Sequence, residues 1–228
     1  MNKYSIIVPT FNEEKNIISV LDWHLHLKLR PEIIVVDGGS RDKTVLLAQS
    51  LNIKIVNSTL GRGIQFNTGS KQAGGDIFIF LHSDTTLPSN VFDVLGEFFK
   101  DPRVELGTFR LKFDVDHWLL SLSCFFTRFD SLWTSFGDQG IVVRKSFFEK
   151  LGGFPDWSLF EDVEFLRRAR KVTKIYSFPA TATTSSRRFQ RNGVVRQHFI
   201  NAWLILRYLF GADPQKLAIK YRKGDLLK

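Results

Sequence analysis

Short apolar runs alternate with amphipathic stretches over the first hundred residues. These mainly apolar runs lie at residues 4–8, 33–36, 53–56 and 77–82, and a proline or a polar residue follows each of them. Such runs are typical of strands buried on both faces of a sheet. The stretches between them predict helices at residues 12–29, from about 42 onward, at 61–73 and at 89–100. Strands that alternate with helices indicate an α/β fold, a mostly parallel sheet with helices on both faces.

The alternation breaks down after residue 100. The pattern there predicts strands at 105–115, 140–143 and 174–178, helices at 118–136, 160–171 and 194–210, and a basic tail after Gly211. No internal repeat, low-complexity segment or clear linker divides the chain. We therefore expect one domain over residues 1–228, with a first half at 1–100 and a second half at 101–228.

Composition narrows the classes of partner. Apolar residues make up 43% of the 228, which is ample for a core. The net charge of +9 favours anionic partners such as nucleic acid, an acidic membrane surface or phosphorylated small molecules, unless it only keeps the surface soluble. The basic residues are scattered and match no nucleic-acid-binding module, so we expect no nucleic acid partner.

Cysteine usage and hydropathy bear on the compartment. The single cysteine, Cys124, excludes an intramolecular disulfide and a cysteine-based zinc site, and it is typical of a reducing compartment. The N-terminal residues show no signal-peptide pattern, and no stretch approaches the ~20 apolar residues of a membrane span. We expect a cytoplasmic protein.

The most informative stretch follows the fourth apolar run, where the chain turns polar at His82-Ser83-Asp84. Side chains two apart on a strand share a face, and ligands of open α/β sheets bind at such strand ends. A carboxylate there can hold a divalent cation, which in turn holds a diphosphate. The alternative is a strand followed by an Asp-capped turn.

Two further carboxylates, Glu13 and Asp37, follow the first and second strands, whose ends we expect to meet in one site. Asp37 suits ribose hydroxyls or a base N–H, and Arg62, flanked by glycines at a helix start, suits a phosphate or a base. A loop cap and an exposed loop arginine are the alternatives. The common glycine-rich phosphate loops are absent, which favours phosphate binding through a metal and carboxylates.

A second acidic cluster opens the helix predicted at 160–171, at Glu161, Asp162 and Glu164. Acids in a first turn favour the helix dipole, and that alone can explain them. In a transferase, however, a positioned carboxylate is also the group that takes the proton of an acceptor hydroxyl.

Taken together, these motifs resemble family 2 glycosyltransferases with the GT-A fold. The matching segments are residues 5–14 (SIIVPTFNEE), 35–44 (VVDGGSRDKT), 61–63 (GRG), 67–76 (NTGSKQAGGD), 82–84 (HSD), 137–141 (GDQGI), 151–154 (LGGF) and 161–162 (ED). The resemblance covers roughly residues 4–195, and the nearest subgroup is the small soluble bacterial transferases associated with radical-SAM and selenium-related gene clusters.

The resemblance implies a role for each matching residue. The nucleotide-sugar donor would be bound in the first half by Pro9, Thr10, Glu13, Asp37, Arg62 and Ser83. Asp84 would ligate Mn²⁺ or Mg²⁺ on the diphosphate. In the second half, which would bind the acceptor, Asp162 would be the general base, with Glu161 as the fallback. The reaction would be inverting transfer of a sugar to a hydroxyl.

The sequence departs from the family pattern at two places. His82 replaces the first acid of the Asp-x-Asp motif. Histidine can ligate Mn²⁺ but suits Mg²⁺ poorly; a direct-ligand role for His82 is the alternative to the one we expect, in which it lies beside the metal and Asp84 is the protein ligand. The Gln-x-x-Arg-Trp motif of processive synthases is missing. Residues 185–189 (SSRRF) offer phosphate-facing arginines instead, or else a solvated basic strand.

Residues 118–136 carry an aromatic-rich, partly helical pattern. It predicts either a helix in the core or a homodimer, or an acceptor platform that touches lipid. Basic residues would add attraction to anionic headgroups; they are Arg196, Arg207, Lys216, Lys220, Arg222 and Lys223. This second reading predicts a peripheral enzyme at the inner face of the cell membrane, with a lipidic acceptor.

Two other functions stay open. A nucleotidyltransferase also uses strand-end acids, but the loop at residues 9–14 lacks the glycines such enzymes carry there. A catalytically degenerate nucleotide-sugar-binding protein is compatible with His82. The sugar, the base and the acceptor depend on loop geometry that no residue type fixes.

Overall fold

The computed structural model describes residues 2–25, 27 and 29–223. Its described residues form eight strands in one sheet, β1 to β8 in chain order. The strands are Tyr4–Thr10, Glu32–Asp37, Lys54–Asn57, Ile77–Phe80, Thr85–Thr86, Leu106–Phe113, Ile141–Arg144 and Ile175–Thr184. The side chains of Arg222 and Lys223, two of the cations expected to face a membrane, lie outside what is described.

Ten helices accompany these strands in the described part of the chain, α1 to α10. They are Ile17–Leu25, Thr44–Ser50, Arg62–Lys71, Val91–Phe98, Trp118–Phe126, Lys145–Lys150, Glu161–Ala169, Arg187–Asn192, Val194–Leu209 and Pro214–Lys223. A single 3₁₀ turn, Gly137–Gln139, precedes β7. None of the helices in the described ranges combines the length and the apolar character that crossing a bilayer requires.

The sheet has the order β3-β2-β1-β4-β7-β6-β8-β5. The first four strands run parallel, as the sequence pattern predicts, and the register pairs Thr10 with Asp37 and Asp37 with Asn57. The carboxyl ends of β1 and β2 therefore reach one edge of the sheet together. The strand order reverses between β1 and β4, which is where ligands of open α/β sheets bind.

The remaining strands are mixed in direction. Strand β7 is antiparallel to β4 and to β6, β8 is parallel to β6, and the two-residue β5 is antiparallel to β8. Apart from the two-residue β5, the strands that depart from the parallel arrangement come after residue 100, where the regular alternation of the sequence pattern ends. The α/β prediction with a mostly parallel first half is confirmed.

Apolar residues of the strands are buried on both faces of the sheet. Ile6, Val8 and Ile79 belong to one hydrophobic cluster, whereas Ile7 and Phe80 belong to a second on the opposite face. The second is rich in phenylalanines that pack edge-on or tilted, of which Phe66, Phe80 and Phe154 are in mutual contact. A third cluster joins α7, α9 and α10 around Phe160, Leu204 and Leu217.

Several predicted elements were wrong in their bounds or type. The strand predicted at 174–178 is the longer β8, which runs to Thr184, and the basic tail after Gly211 contains α10. The first helix begins at Ile17, not at residue 12, because Asn12 adopts a φ of 54° and the Glu13 N–H donates to Thr44 Oγ1. The helix predicted over 118–136 stops at Phe126, and turns follow it. The alternative basic strand at 185–189 is instead a loop and the start of α8, because β8 ends at Thr184.

Two helical glycines give a test of the packing. A Cβ at Gly69 of α3 would lie 2.5 Å from Ile7 Cγ2 and 2.7 Å from Val36 Cγ2, whereas a Cβ at Gly96 of α4 would meet nothing within 4 Å. We expect Gly69→Ala to lower the free energy of unfolding by about 1–3 kcal/mol through overpacking.

The matched change Gly96→Ala should raise that free energy by about 0.5–1 kcal/mol, since alanine is the better helix former. Urea unfolding of both variants measures the two effects. Shifts of the same sign would contradict the close packing of α3 on β1 and β2.

Candidate functional site

A cavity of about 760 Å³ contains part of the predicted site. Its polar end is lined by Arg62, His82, Asp84, Asp138 and Arg187. These residues come from the start of α3, the segment after β4, the 3₁₀ turn and the start of α8. The fold thus brings both halves of the chain to one cavity.

Glu13 and Asp84 lie on either side of one arginine. Arg187 Nη2 is 3.4 Å from Glu13 Oε2 and 3.4 Å from Asp84 Oδ2. Asp84 is fixed by β5, whose Thr85 Oγ1 lies 3.0 Å from Thr184 Oγ1 of β8. The expected meeting of strand-end acids is realised for this pair, with a guanidinium between them.

Asp37 forms a preorganised carboxylate at the end of β2. It is buried, and its Oδ2 accepts from the Gly39 and Ser40 N–H groups at 2.9 Å. Its Oδ1 is buried without a hydrogen-bond partner. An oxygen left unpaired in this way is costly unless a ligand completes it. The alternative role of Asp37, a loop cap, therefore accounts for its Oδ2 only.

The other predicted donor residues lie off the cavity wall. Pro9 and Thr10 are buried at the end of β1, and Gln65 Nε2 donates to Thr10 O at 2.9 Å and to Val36 O at 2.8 Å. This amide holds the ends of β1 and β2 together. Ser83 is buried and does not line the cavity.

Arg62 pairs with Glu161 across the two halves. Arg62 Nε is 2.8 Å from Glu161 Oε1, and the Glu161 side chain is fully buried. Burial raises the pKa of Glu161 to about 7, against the opposing effect of Arg62. Burial by itself would lower the pKa of Arg62, but Glu161 and Asp162 outweigh it and raise that pKa, so the arginine stays charged.

Asp162 adjoins the cavity wall through the 3₁₀ turn. Its Oδ2 accepts from the Gly137 N–H, and Gly137 lies between two residues of the cavity lining, Phe136 and Asp138. Helix α7 starts after Phe160, a buried aromatic with a φ of 65°. This left-handed residue turns the chain so that Glu161 and Asp162 enter the site from the first turn of α7.

His82 is the buried neighbour of these groups. Its Nε2 has no hydrogen bond and lies 3.9 Å from Asp138 Oδ1. Burial and the nearby Arg62 lower the pKa of His82, so the ring is neutral at neutral pH. A Cβ at Gly137 would lie 2.9 Å from His82 Nε2 and 3.0 Å from Asp162 Oδ2, and only a glycine leaves room for both groups.

The residues of this site could hold a divalent cation only if a bound ligand supplied some of the coordinating oxygens. No group of three or more His, Cys, Asp or Glu side chains in the described ranges is arranged to hold a metal by itself. A cation such as Mg²⁺, however, commonly binds through one or two carboxylates plus substrate phosphates. The Asp84 carboxylate on the cavity wall suits that mode.

Sequence reasoning gave no role to Asp138 and did not single out Arg187. Asp138 belongs to a segment that carried the family resemblance, and Arg187 to the arginines at 185–189 that were left open between two interpretations. No local pattern reveals that β8 and α8 return Arg187 to the end of β4, 103 residues away in sequence.

Comparisons with known proteins agree with this geometry. A family model described as "Glycosyl transferase family 2" matches residues 5–152. The dolichol-phosphate mannosyltransferase of Pyrococcus furiosus is 35% identical over 108 residues, which are 43% of this chain and 30% of that protein. The probable glycosyltransferase YdaM of Bacillus subtilis is 29% identical over 213 residues, 79% of this chain and 50% of that protein. The chain thus spans half or less of the length of these two relatives.

A solved structure supports the fold. The mannosyltransferase PcManGT of Pyrobaculum calidifontis, in complex with GDP-Man and Mn²⁺, superposes with a TM-score of 0.66 at 20% identity. The match covers 80% of this chain and 56% of that one. The architecture is therefore that of GT-A glycosyltransferases.

The burial of Glu161 predicts a pH dependence of stability. Its pKa is about 7 in the folded chain against an ordinary 4.5, so between these values the folded state keeps a proton that the unfolded state releases. Stability from this group is present below pH 4.5 and is lost as the pH rises through 7.

We expect Glu161→Gln to remove this loss, so that the difference in unfolding free energy between wild type and variant changes by up to about 3 kcal/mol between pH 4.5 and 8. Urea unfolding across that range measures it. A difference that does not vary with pH would show that Glu161 titrates as an ordinary carboxyl.

Proposed function

The chain belongs to glycosyl transferase family 2, and on that premise we propose that it transfers a sugar from a nucleotide-diphosphate donor to an acceptor hydroxyl. The observation that carries the proposal is the meeting of Glu13 and Asp84 around Arg187 at the carboxyl ends of β1 and β4. Two carboxylates with an arginine between them, in a crevice at the carboxyl ends of parallel strands, suit the binding of a nucleoside diphosphate.

The donor would lie along the ends of β1 and β2. The unpaired Asp37 Oδ1 is suited to accept from a ribose hydroxyl or a base N–H. Pro9, Thr10, Glu13 and Ser83 would complete the pocket, and Arg62 would face the phosphates from the start of α3. The half of the chain at residues 1–100 is then the donor half.

Asp84 would hold a divalent cation, Mn²⁺ or Mg²⁺. When bound, such a cation neutralises charge on the departing diphosphate. The related mannosyltransferase PcManGT was solved with Mn²⁺ beside GDP-Man, which supports manganese as the first ion to test. His82 would stay beside the site, since the carboxylate facing its Nε2 is Asp138.

Arg187 would change partners when the donor binds. In the present arrangement its guanidinium offsets the charge of Glu13 and Asp84. The Arg187 side chain is half-exposed, and a guanidinium binds phosphate oxygens well. Release of the two carboxylates would leave Asp84 open to the cation while Arg187 contacts the diphosphate.

Asp162 would be the general base. The acceptor oxygen forms a bond to the anomeric carbon while the bond from that carbon to the phosphate oxygen breaks, so the configuration inverts. The hydroxyl proton passes to Asp162, and the nucleoside diphosphate leaves. Its second carboxylate oxygen carries no hydrogen bond among the described residues, whereas the fallback, Glu161, is fully buried against Arg62.

The acceptor would bind in residues 101–228, within a single domain over residues 1–228. Exposed apolar side chains of α5 and the segment after it, among them Trp118, Phe129 and Trp133, favour a lipidic acceptor and a peripheral contact with the inner face of the cell membrane. A homodimer through the same side chains is the other use of this surface. Membership of the subgroup linked to radical-SAM and selenium-related gene clusters stays a prediction.

A catalytically degenerate nucleotide-sugar-binding protein is the second candidate. His82 in place of the first acid, together with the lack of a three-residue metal cluster in the described ranges, favours it. It predicts donor binding without transfer. Family membership argues against the nucleotidyltransferase alternative.

A thermal-shift panel tests the donor site. UDP, GDP, CDP, ADP and dTDP would each be added with Mn²⁺, with Mg²⁺ and with neither. We expect one nucleotide to stabilise the protein in a metal-dependent way, by roughly 2.7 kcal/mol at about 100 times its dissociation constant. If none of the pairs shifts the unfolding temperature, the donor-binding proposal is lost.

Two variants separate binding from chemistry. Asp84→Ala should abolish the metal-dependent part of the shift, because it removes the carboxylate on the cavity wall. Asp162→Asn should keep the shift and lose transfer, by about 10²-fold or more, as expected for a lost general base. Wild-type turnover in Asp162→Asn would reject the base assignment.

Membrane contact predicts co-flotation with vesicles. Aromatic side chains insert at the headgroup level and basic residues are drawn to anionic lipid, so we expect the protein to float with phosphatidylserine vesicles at low salt and to be released at high salt. Paired Phe125→Ser and Phe129→Ser changes should reduce flotation. Protein that stays at the bottom at low salt contradicts the membrane proposal.

A further inference from the structure

The cavity that contains Asp84 has a second, apolar end. Leu111 and Phe113 of β6, Phe126 of α5, Trp133 and Phe136 after it, and Ile205 of α9 line this end. The donor site proposed above needs the polar end only, at Asp84 and Arg187. The apolar end therefore has no role in donor binding.

Helices α5 and α9 form the opposite sides of the apolar end. Ser123 of α5 and His198 of α9 share a hydrogen bond of 2.7 Å, and both residues line the cavity, as do Phe126 and Ala202. The two helices are thus joined at one level, and we call the part of the cavity beside this joint, between Phe126, Trp133 and Ile205, the passage. Solvent reaches its walls, because Phe126 and Trp133 are 49% and 51% exposed.

The passage opens onto an exposed apolar surface. Phe126 and Trp133, which line the cavity, are also part of an aromatic ridge, the set Trp118, Leu122, Phe125, Phe126, Phe129 and Trp133, all exposed. Within this ridge Phe125 contacts Phe126 and Phe129, and large exposed apolar surfaces mark interaction sites on globular proteins. The ridge and the cavity share two side chains, so a ligand can extend from one into the other.

Two cations on the cavity wall have no acid to balance them. Arg188 donates to Tyr221 Oη at 2.7 Å and stacks over that ring, and Arg191 contacts only Asn192 Oδ1, at 3.4 Å. Neither forms an ion pair with a carboxylate in the described ranges, in contrast to Arg62 and Arg187 on the same wall. A ligand that matches this half of the cavity therefore has an apolar group joined to an anionic group.

We propose that this end of the cavity binds an amphiphile with an apolar chain and an anionic head, and that this amphiphile is the acceptor. The inference rests on the proposed function, which it makes more specific. The chain lies between α5 and α9 against Phe126, Trp133 and Ile205. The head, which also carries the acceptor hydroxyl, lies by Arg188 and Arg191 in the same cavity as Asp84.

Tryptophan quenching locates the chain. Monomeric dodecyl phosphate carrying bromine in its chain quenches a tryptophan only on close approach. We expect it to quench the wild type and Trp118→Phe to a similar extent, and Trp133→Phe much less, because Trp133 lines the cavity and Trp118 does not. Loss of quenching in Trp118→Phe, but not in Trp133→Phe, would place the chain on the outer surface and overturn the proposal.

A filled cavity gives an independent test. Ala202 is exposed and lines the cavity, so Ala202→Phe projects into the passage without disturbing the core. It should weaken binding of dodecyl phosphate by roughly tenfold or more, measured by calorimetry. The control Val195→Phe, on the same helix and off the cavity wall, should bind as the wild type does. Equal affinity of the two variants contradicts the assignment.

The charge of the head group is tested by comparing the binding of two amphiphiles. Dodecyl phosphate should bind more tightly than a dodecyl chain with a neutral glucoside head, and Arg188→Gln with Arg191→Gln should remove that preference. Equal affinity of the wild type for both amphiphiles would contradict the proposal that the head group is anionic. If the ridge instead joins two copies, sedimentation shows a dimer, dodecyl phosphate does not bind to the passage, and the proposal is wrong.

The nucleotide panel and the amphiphile tests fail separately. A nucleotide shift without dodecyl phosphate binding would leave glycosyl transfer in place with a soluble acceptor. Dodecyl phosphate binding without any nucleotide shift would leave the apolar passage in place and reject the transferase. The two proposals are therefore distinguishable in one set of experiments.

Discussion

The parallel register of β1, β2 and β4 is the constraint on which the site depends. Because β1 pairs Thr10 with Asp37 and β4 runs beside it, the chain after each strand emerges at one edge of the sheet. The Gln65 amide secures this edge by bonding to Thr10 O and Val36 O. A slip of one residue would turn the Asp37 side chain to the opposite face of the sheet, away from the edge where ligands bind.

The second half of the chain is attached to this edge by charge. The Arg62 and Glu161 pair joins α3 to α7 with a contact of 2.8 Å, almost without solvent on the acid. A buried pair of this kind adds little net stability but is costly to break on one side, so it specifies how α7 sits against α3. Asp162, the next residue, takes its place through this pair and through the Gly137 N–H.

Sequence patterns predicted the first half of the chain well and the second half only in part. Buried parallel strands are recognisable as continuous apolar runs, and Glu13 and Asp84 lie in the segments that follow two of these runs, so their approach to one site was predictable. Arg187 was not, because its position depends on β8, which pairs with β5 and with β6 across long separations. The end of α5 at Phe126 was missed for a related reason. The apolar period of the sequence continues to residue 136, but the Asp130 carboxylate pairs with Arg170 of the segment after α7 and the chain leaves the helix there.

The aromatic ridge is the part of the fold where local stability and function conflict. Burying one large apolar side chain is worth about 1.5–3 kcal/mol, and the ridge leaves six of them in contact with water. The sheet core, by contrast, is closely filled, with Phe78, Phe80, Phe109, Phe165 and Phe178 almost wholly buried. Exposed phenylalanines occur elsewhere too, at Phe199 and Phe210, but the ridge gathers its six apolar side chains within residues 118–133. Contact with an amphiphile or a membrane, as proposed, would offset the stability that this exposure costs.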